Sequence, residues 1–175
     1  MKGVVYIATS LDGFIARSGG EVDWLESDGA AGENYGFARF IRSVDALVMG
    51  RNTYDVVRSF GLWPYGELPV VVWTRQELEI PLELRPSVES NSNLPGDLWA
   101  DLATRGIDRV YVDGGRTIQA FLAAGLIEEI TITRIPIILG TGVPLFGAIN
   151  TGVRLRHLAT HAYDDGIVQS RYALE

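Results

Sequence analysis

The sequence predicts an α/β protein built on one mixed sheet, with helices on both faces and antiparallel strands at the C-terminal end. Three observations predict it. Up to Gly125, short β-branched runs alternate with stretches of helical periodicity, the pattern of strands joined by crossover helices. After Gly125, strands follow one another, and the last two are joined by the turn Asp164-Asp165-Gly166. The 175 residues suit a single domain spanning 1–175, and no repeat or linker divides them.

Each element follows from its local pattern. Val4 to Ala8 is β-branched and aromatic and reads as an interior strand. Ser10 to Gly20 reads as loop, with turn signals at Asp12-Gly13 and Gly19-Gly20. Phe37, Phe40, Ile41 and Val44 recur at helical spacing, which predicts a helix from about Asn34 to Ser43. Ala46 to Met49 is a second strand, and Thr53 to Arg58 a short helix at its carboxyl end. Val70 to Trp73 is a third strand. The proline-bearing stretch from Gln76 to Pro95 reads as connection with one short strand near Val88. Leu98 to Thr104 is a helix stopped by Gly106, Arg109 to Val112 a strand, and Thr117 to Ala124 a helix closed by Gly125. Ile127 to Ile135 alternates as a strand does, and Leu155 to Tyr163 and Ile167 to Tyr172 form the terminal pair.

Composition narrows the chemistry. With no cysteine, disulfides, thiol nucleophiles and zinc–thiolate sites are excluded. A net charge of −7 without a Lys/Arg cluster opposes binding to a phosphate backbone, so nucleic acid is not an expected partner. No apolar run reaches the ~18 residues of a membrane span, and the amino terminus reads as a strand rather than a signal peptide. A cytoplasmic protein without membrane contact is expected. His157 and His161 share one face of a straight strand but stand about 13 Å apart, so no metal site is expected.

Three glycine turns follow strands: Gly50-Arg51, Gly114-Gly115 and Gly140-Thr141-Gly142. Ligands of open α/β sheets bind beyond the carboxyl ends of strands, where these turns gather. Any one of them is equally a plain backbone requirement. Gly114-Gly115 precedes a helix whose first amides can meet a pyrophosphate, with the Thr117 hydroxyl as a further donor or an ordinary cap. Arg51, beside Thr53, offers a planar fork suited to a 2′-phosphate, and Thr74-Arg75 can complete that grip; solvated side chains are the alternative. Asp12 and Trp24 flank the first loop and either border a flat substrate or serve only as a turn residue and a loop anchor.

Together the stretches Ile7-Ala8-Thr9-Ser10-Leu11-Asp12-Gly13-Phe14-Ile15-Ala16, Asp23-Trp24-Leu25, Val48-Met49-Gly50-Arg51-Asn52-Thr53-Tyr54, Val110-Tyr111-Val112-Asp113-Gly114-Gly115 and Pro136-Ile137-Ile138-Leu139-Gly140 carry a resemblance. The chain resembles the reductase family formed by the carboxyl-terminal domain of bacterial bifunctional deaminase–reductases and its stand-alone relatives, which share the dihydrofolate reductase fold. The resemblance implies a mixed sheet of about eight strands, NADPH as cofactor, hydride transfer to a small-molecule substrate, and a homodimer. It places Ala8 at the nicotinamide and Gly50, Arg51 and Thr53 on the adenosine side. Thr74 and Arg75 fall near the 2′-phosphate. Gly114 and Gly115 lie under the pyrophosphate, joined by a strained, commonly cis peptide, with Arg116 and Thr117 lining the same turn. Asp12 and Trp24 fall on the substrate side. The nearest named activity is 5-amino-6-(5-phosphoribosylamino)uracil reduction. Where pathway reductases carry an Asp-Pro pair, this chain has Arg58-Ser59-Phe60-Gly61-Leu62-Trp63-Pro64, which suggests a flatter or more apolar substrate. Dihydrofolate reduction, with Glu33 as the acid, is an alternative, as is a non-catalytic nucleotide-binding or oligomeric interaction protein.

Overall fold

The structure is a computed structural model that describes residues 1–25, 35–147 and 152–175. Strand β1 (Lys2–Thr9) is followed by β2 (Phe14–Ala16) and a single 3-10 turn at Asp23–Leu25. Then come α1 (Phe37–Ile41), β3 (Ala46–Gly50), α2 (Arg51–Ser59), β4 (Val70–Trp73) and β5 (Val88–Asn91). Helix α3 (Pro95–Thr104), β6 (Arg109–Asp113) and α4 (Gly115–Ala123) continue the alternation. Strands β7 (Glu129–Arg134), β8 (Val143–Pro144), β9 (Leu155–Ala162) and β10 (Val168–Leu174) complete the described chain.

Eight strands form one sheet in the order β5-β4-β3-β6-β1-β7-β10-β9, and β2 pairs with β8 beside it. The ladders from β5 to β7 are parallel, and β10 runs antiparallel to both β7 and β9. Side-chain alternation sorts the core into two layers. Val5, Val48, Val110 and Val112 meet Leu98 and Leu102 of α3 and Ile118 and Phe121 of α4. On the opposite face Val4, Leu47, Met49 and Tyr111 meet Phe40 of α1 and Tyr54 and Val57 of α2. Helices therefore cover both faces, and the parallel strands point their carboxyl ends to one edge.

Several expectations are corrected. The first helix runs only Phe37–Ile41, because Gly36 turns left-handed (φ 90) before it and the chain leaves the helix at Arg42; Asn34 lies outside the described residues. The loop from Ser10 to Gly20 contains β2, which is too short to show periodicity but is held by pairing with β8. The register of β9 and β10 shifts between Arg171 and Tyr172, so that Arg171 faces Ala159 while Tyr172 faces His157. That bulge reverses the parity of β9. His157 and His161 consequently lie on opposite faces, not one.

Candidate functional site

The glycine turns meet at the carboxyl edge of the sheet. Met49 pairs with Asp113 in the β3–β6 ladder, which brings Gly50 beside Gly114. A Cβ on Gly114 would collide with Thr53 Oγ1, and one on Gly50 would fall 2.8 Å from Thr117 Oγ1. Two backbones and two hydroxyls thus close on each other at the start of α4. The third turn reaches the same place through β8: a Cβ on Gly115 would lie 3.0 Å from Ile15 Cδ1 and 3.3 Å from Pro144 O. No described peptide bond is cis, so the expected cis link between Gly114 and Gly115 is absent. The sharp turn comes instead from Gly114 itself, at φ 90 and ψ 137, a conformation open to glycine.

Helix α4 has no side-chain cap at its amino end. Its first intrahelical donor is Ile118 N–H, bonded to Gly114 O at 2.8 Å, so the amides of Gly115, Arg116 and Thr117 stand ahead of the ladder. Arg116 is exposed and Thr117 buried. Beside them β1 and β6 separate. Their ladder ends at Val4 and Tyr111 although β1 continues to Thr9. Beyond that point the Tyr111 hydroxyl donates to Tyr6 O at 2.9 Å. The Ala8 backbone, directed toward β6 by alternation from Lys2 and Val4, has no strand opposite it.

Asp113 closes β6 immediately before this turn. Its carboxyl accepts the Gly114 N–H at 2.9 Å, yet burial outweighs that contact and pushes its pKa up to about 6. Burial, and after it the neighbouring Asp113, raise the Tyr65 phenol and drive the Tyr111 phenol well above its ordinary value. Asp113 is a functional candidate missed by the sequence reading. Its signal was present, an acid directly before Gly-Gly at a strand end, but the burial that tunes it is tertiary.

The remaining candidates divide. Thr53 and Thr117 lie in the turn. Arg51 is half-buried and committed: Nε donates to Asp55 Oδ2 at 2.8 Å and Nη1 to Glu77 O at 3.0 Å. Thr74 receives the Gln76 N–H on its hydroxyl at 3.1 Å, and Arg75 is exposed. Asp12 accepts the amides of Leu139 at 3.1 Å and Gly140 at 2.7 Å, fastening the first loop to the one after β7. The Ser10 hydroxyl, and after it the Gly140 and Leu139 amides, hold its carboxyl below its ordinary pKa. Trp24 is only 1% exposed and packs with Ile135 and Ile167, beside Ala8, Tyr35 and Tyr163. Glu33 lies outside the described residues.

A second polar cluster escaped the sequence reading. Tyr6 stacks on Phe40 with ring centroids 4.6 Å apart, and its hydroxyl bonds to Tyr35 O and accepts from Gln169 Nε2 at 2.7 Å. Burial raises its pKa. Tyr6 and Gln169 are 163 positions apart, so no sequence motif could have joined them.

A largely parallel sheet with helices on both faces and glycine turns at its strand ends gathers these residues at one carboxyl edge, the place where open α/β sheets bind ligands. The comparisons identify the family: the RibD C-terminal domain model matches residues 2–169, and the chain belongs to that family. YwjB of Bacillus subtilis is 30% identical over 168 residues, covering 95% of this chain and 94% of that protein. A Shewanella sp. PV-4 structure, provisionally assigned as a riboflavin biosynthesis protein, is 41% identical with a TM-score of 0.93, covering 100% of this chain and 99% of its own. The Thermotoga maritima diaminohydroxyphosphoribosylaminopyrimidine deaminase/5-amino-6-(5-phosphoribosylamino)uracil reductase superposes with a TM-score of 0.73. At 16% identity, over 99% of this chain and 56% of that one, it carries the fold alone. The chain is thus a member of the RibD C-terminal domain family, similar over its whole length to a protein assigned to riboflavin biosynthesis. Among the described residues no helix is long and apolar enough to cross a membrane, and no group of acidic or histidine side chains is placed to hold a metal.

Proposed function

We propose that this protein is an NADPH-dependent reductase that delivers hydride to a small heterocyclic, carbonyl or imine substrate. The nearest named activity is 5-amino-6-(5-phosphoribosylamino)uracil reduction. The observation that carries the reading is the opening between β1 and β6 beside the uncapped start of α4. The residues present fit the cofactor there. The Ala8 backbone supplies a donor and an acceptor for a carboxamide, and the amides of Gly115 to Thr117 supply donors for a pyrophosphate. Thr53 and Thr117 add hydroxyls, and Gly50 lets Thr117 approach. The exposed guanidinium of Arg75 suits a 2′-phosphate, and that of Arg116 the pyrophosphate at its own turn. Arg51 and Thr74 act by position, Arg51 by tying the segment after β4 to α2. When bound, NADPH supplies hydride from its dihydronicotinamide ring.

The chain's own contribution is orientation, exclusion of water and a proton. Asp113, whose pKa burial raises to about 6 at the strand end, is the chain's acid for that proton. Trp24 forms the apolar wall below Ala8, and Asp12 sets the loop bordering the substrate side. The protein is expected to act as a cytoplasmic homodimer. The test is a fluorescence titration with NADPH and NADH in parallel, using energy transfer from the indoles. Micromolar NADPH binding that exceeds NADH binding supports the reading; a folded sample that binds neither overturns it and favours a non-catalytic role.

A further inference from the structure

Residues Ala8, Thr133 and Gln169 form one lateral row across β1, β7 and β10, since Ala8 pairs with Thr133 and Thr133 with Gln169. Two strand spacings, about 10 Å, separate the ends of the row, enough for a planar ring to lie between them. Gln169 sits in this row with its amide orientation fixed. Its Nε2 lies 2.7 Å from Tyr6 Oη, 2.8 Å from Thr133 Oγ1 and 3.1 Å from Tyr35 O. Tyr35 O is a carbonyl and takes only a donor, so the nitrogen must face it and the oxygen must face away. Two N–H bonds already serve three acceptors. Gln169 Oε1 is thereby presented as an acceptor, and no described residue donates to it. Gln169 itself is only partly buried.

The surroundings suit a flat ligand. Tyr35 and Tyr163 meet edge to face at 4.9 Å, His161 lies against Tyr163 with ring centroids 4.4 Å apart, and Tyr35 Oη donates to Asp165 at 2.5 Å. This rim is held from three sides: the Tyr35 carbonyl by Tyr6 and Gln169, its hydroxyl by Asp165, and its ring by Tyr163. Tyr35 takes a left-handed backbone (φ 45), uncommon for a residue with a side chain, and the same contacts fix it there.

From this geometry we propose that Gln169 is a specificity-determining residue. Its Oε1 accepts a ring N–H from a planar lactam-type heterocycle lying along the Ala8–Thr133–Gln169 row, and Tyr6 is the positioning residue that fixes its amide. The inference rests on the reductase reading and deepens it by naming the residue that reads the edge of the ring. A site that accepts a ring N–H discriminates against the N-methylated analogue, because the acceptor is then left unpaired.

The test is a calorimetric titration of the full chain, with and without saturating NADP+, against lumazine and 1,3-dimethyllumazine, whose ring N–H groups are blocked. The wild type is expected to bind lumazine at least about tenfold more tightly than its dimethyl analogue. Gln169→Met should abolish that preference while leaving the NADP+ affinity unchanged. Tyr6→Phe should reduce the preference in part, since the ring stacking on Phe40 remains while the hydroxyl is lost. Equal binding of the two heterocycles by the wild type, no binding of lumazine, or a preference retained in Gln169→Met each overturns the proposal. Failure of NADP+ to bind would overturn the reductase reading instead, and the heterocycle preference is read independently on the cofactor-free protein.

Discussion

The two sides of the strand-end opening are built on different principles. On the α4 side, the contacts come from backbone and short turns that the β3–β6 pairing brings together: Gly50 against Thr117, Gly114 against Thr53, and the Asp113 carboxyl on the Gly114 amide. On the β10 side they come from side chains whose meeting depends on sheet order, as Tyr6, Thr133 and Gln169 do. A backbone site reads groups shared by many ligands, such as phosphates and a carboxamide. A side-chain site reads the edge of one particular ring. The same division separates what a family can hold constant from what its members can change.

The largest expected effect tests the backbone side. Gly114→Ala places a Cβ against Thr53 Oγ1 and forces a side chain into φ 90. NADPH affinity should fall by more than ~100-fold, with the melting temperature lowered as well. Adding Thr53→Ala removes the collision but not the backbone strain, so affinity should return only in part. Unchanged binding in Gly114→Ala would break the comparison, because it would detach the cofactor from this turn.

Asp113 sharpens the comparison on the α4 side. Its folded pKa is raised, so the folded state holds the proton more tightly than the unfolded chain. Stability should therefore fall as pH rises from about 4 to about 6 and stay lower above that. Asp113→Asn keeps the neutral shape and escapes this cost. It should match the wild type near pH 4 and exceed it by about 1–3 kcal/mol at pH 8, measured by urea unfolding. Its turnover should be low and should lose the wild-type decline above pH 6. A variant as pH-dependent as the parent would remove Asp113 from the proton's path.

Legibility in the sequence followed the same line. Ala46–Gly50 and the strand before Gly114 were readable because their patterns are local and their ends carry glycine. The turns at Gly50 and Gly114 were readable for the same reason. By contrast, the bulge that sends His157 and His161 to opposite faces is a property of the β9–β10 register, and nothing in residues 155–162 announces it. Asp12 carried a visible turn signal, yet its partners at Leu139 and Gly140 lie 127 and 128 positions away. Gln169 showed no signal, because an isolated glutamine in a terminal strand acquires its meaning only from the strand two places across.

The arginines give a smaller and more selective test of the α4 side. Arg75→Ala should weaken NADPH relative to NADH by ~1–2 kcal/mol if its exposed guanidinium meets the 2′-phosphate. Arg51→Ala should weaken both cofactors alike, since its side chain is spent on Asp55 and Glu77 O and holds the segment rather than the ligand. Parallel titrations of the two variants separate contact from positioning. A selective loss in Arg51→Ala would reverse the assignments.

Asp12→Asn is expected to have the smallest effect, and it decides whether the first loop is machinery or fastening. The carboxylate accepts two amides through two oxygens, and asparagine retains only one of them. One fastening bond is therefore lost, and amide exchange at Leu139 and Gly140 should speed up while NADPH affinity stays within about twofold of the wild type. The pH response carries the sign of a depressed acid. In the wild type, the fastening is present above the ordinary carboxylate pKa and fades only as pH falls through the lower folded value. In Asp12→Asn, exchange at the two amides should lack that titration. If turnover instead collapsed while exchange at both amides stayed at the wild-type rate, Asp12 would be acting on the substrate directly. The side-chain half of the opening would then extend from β10 to the first loop.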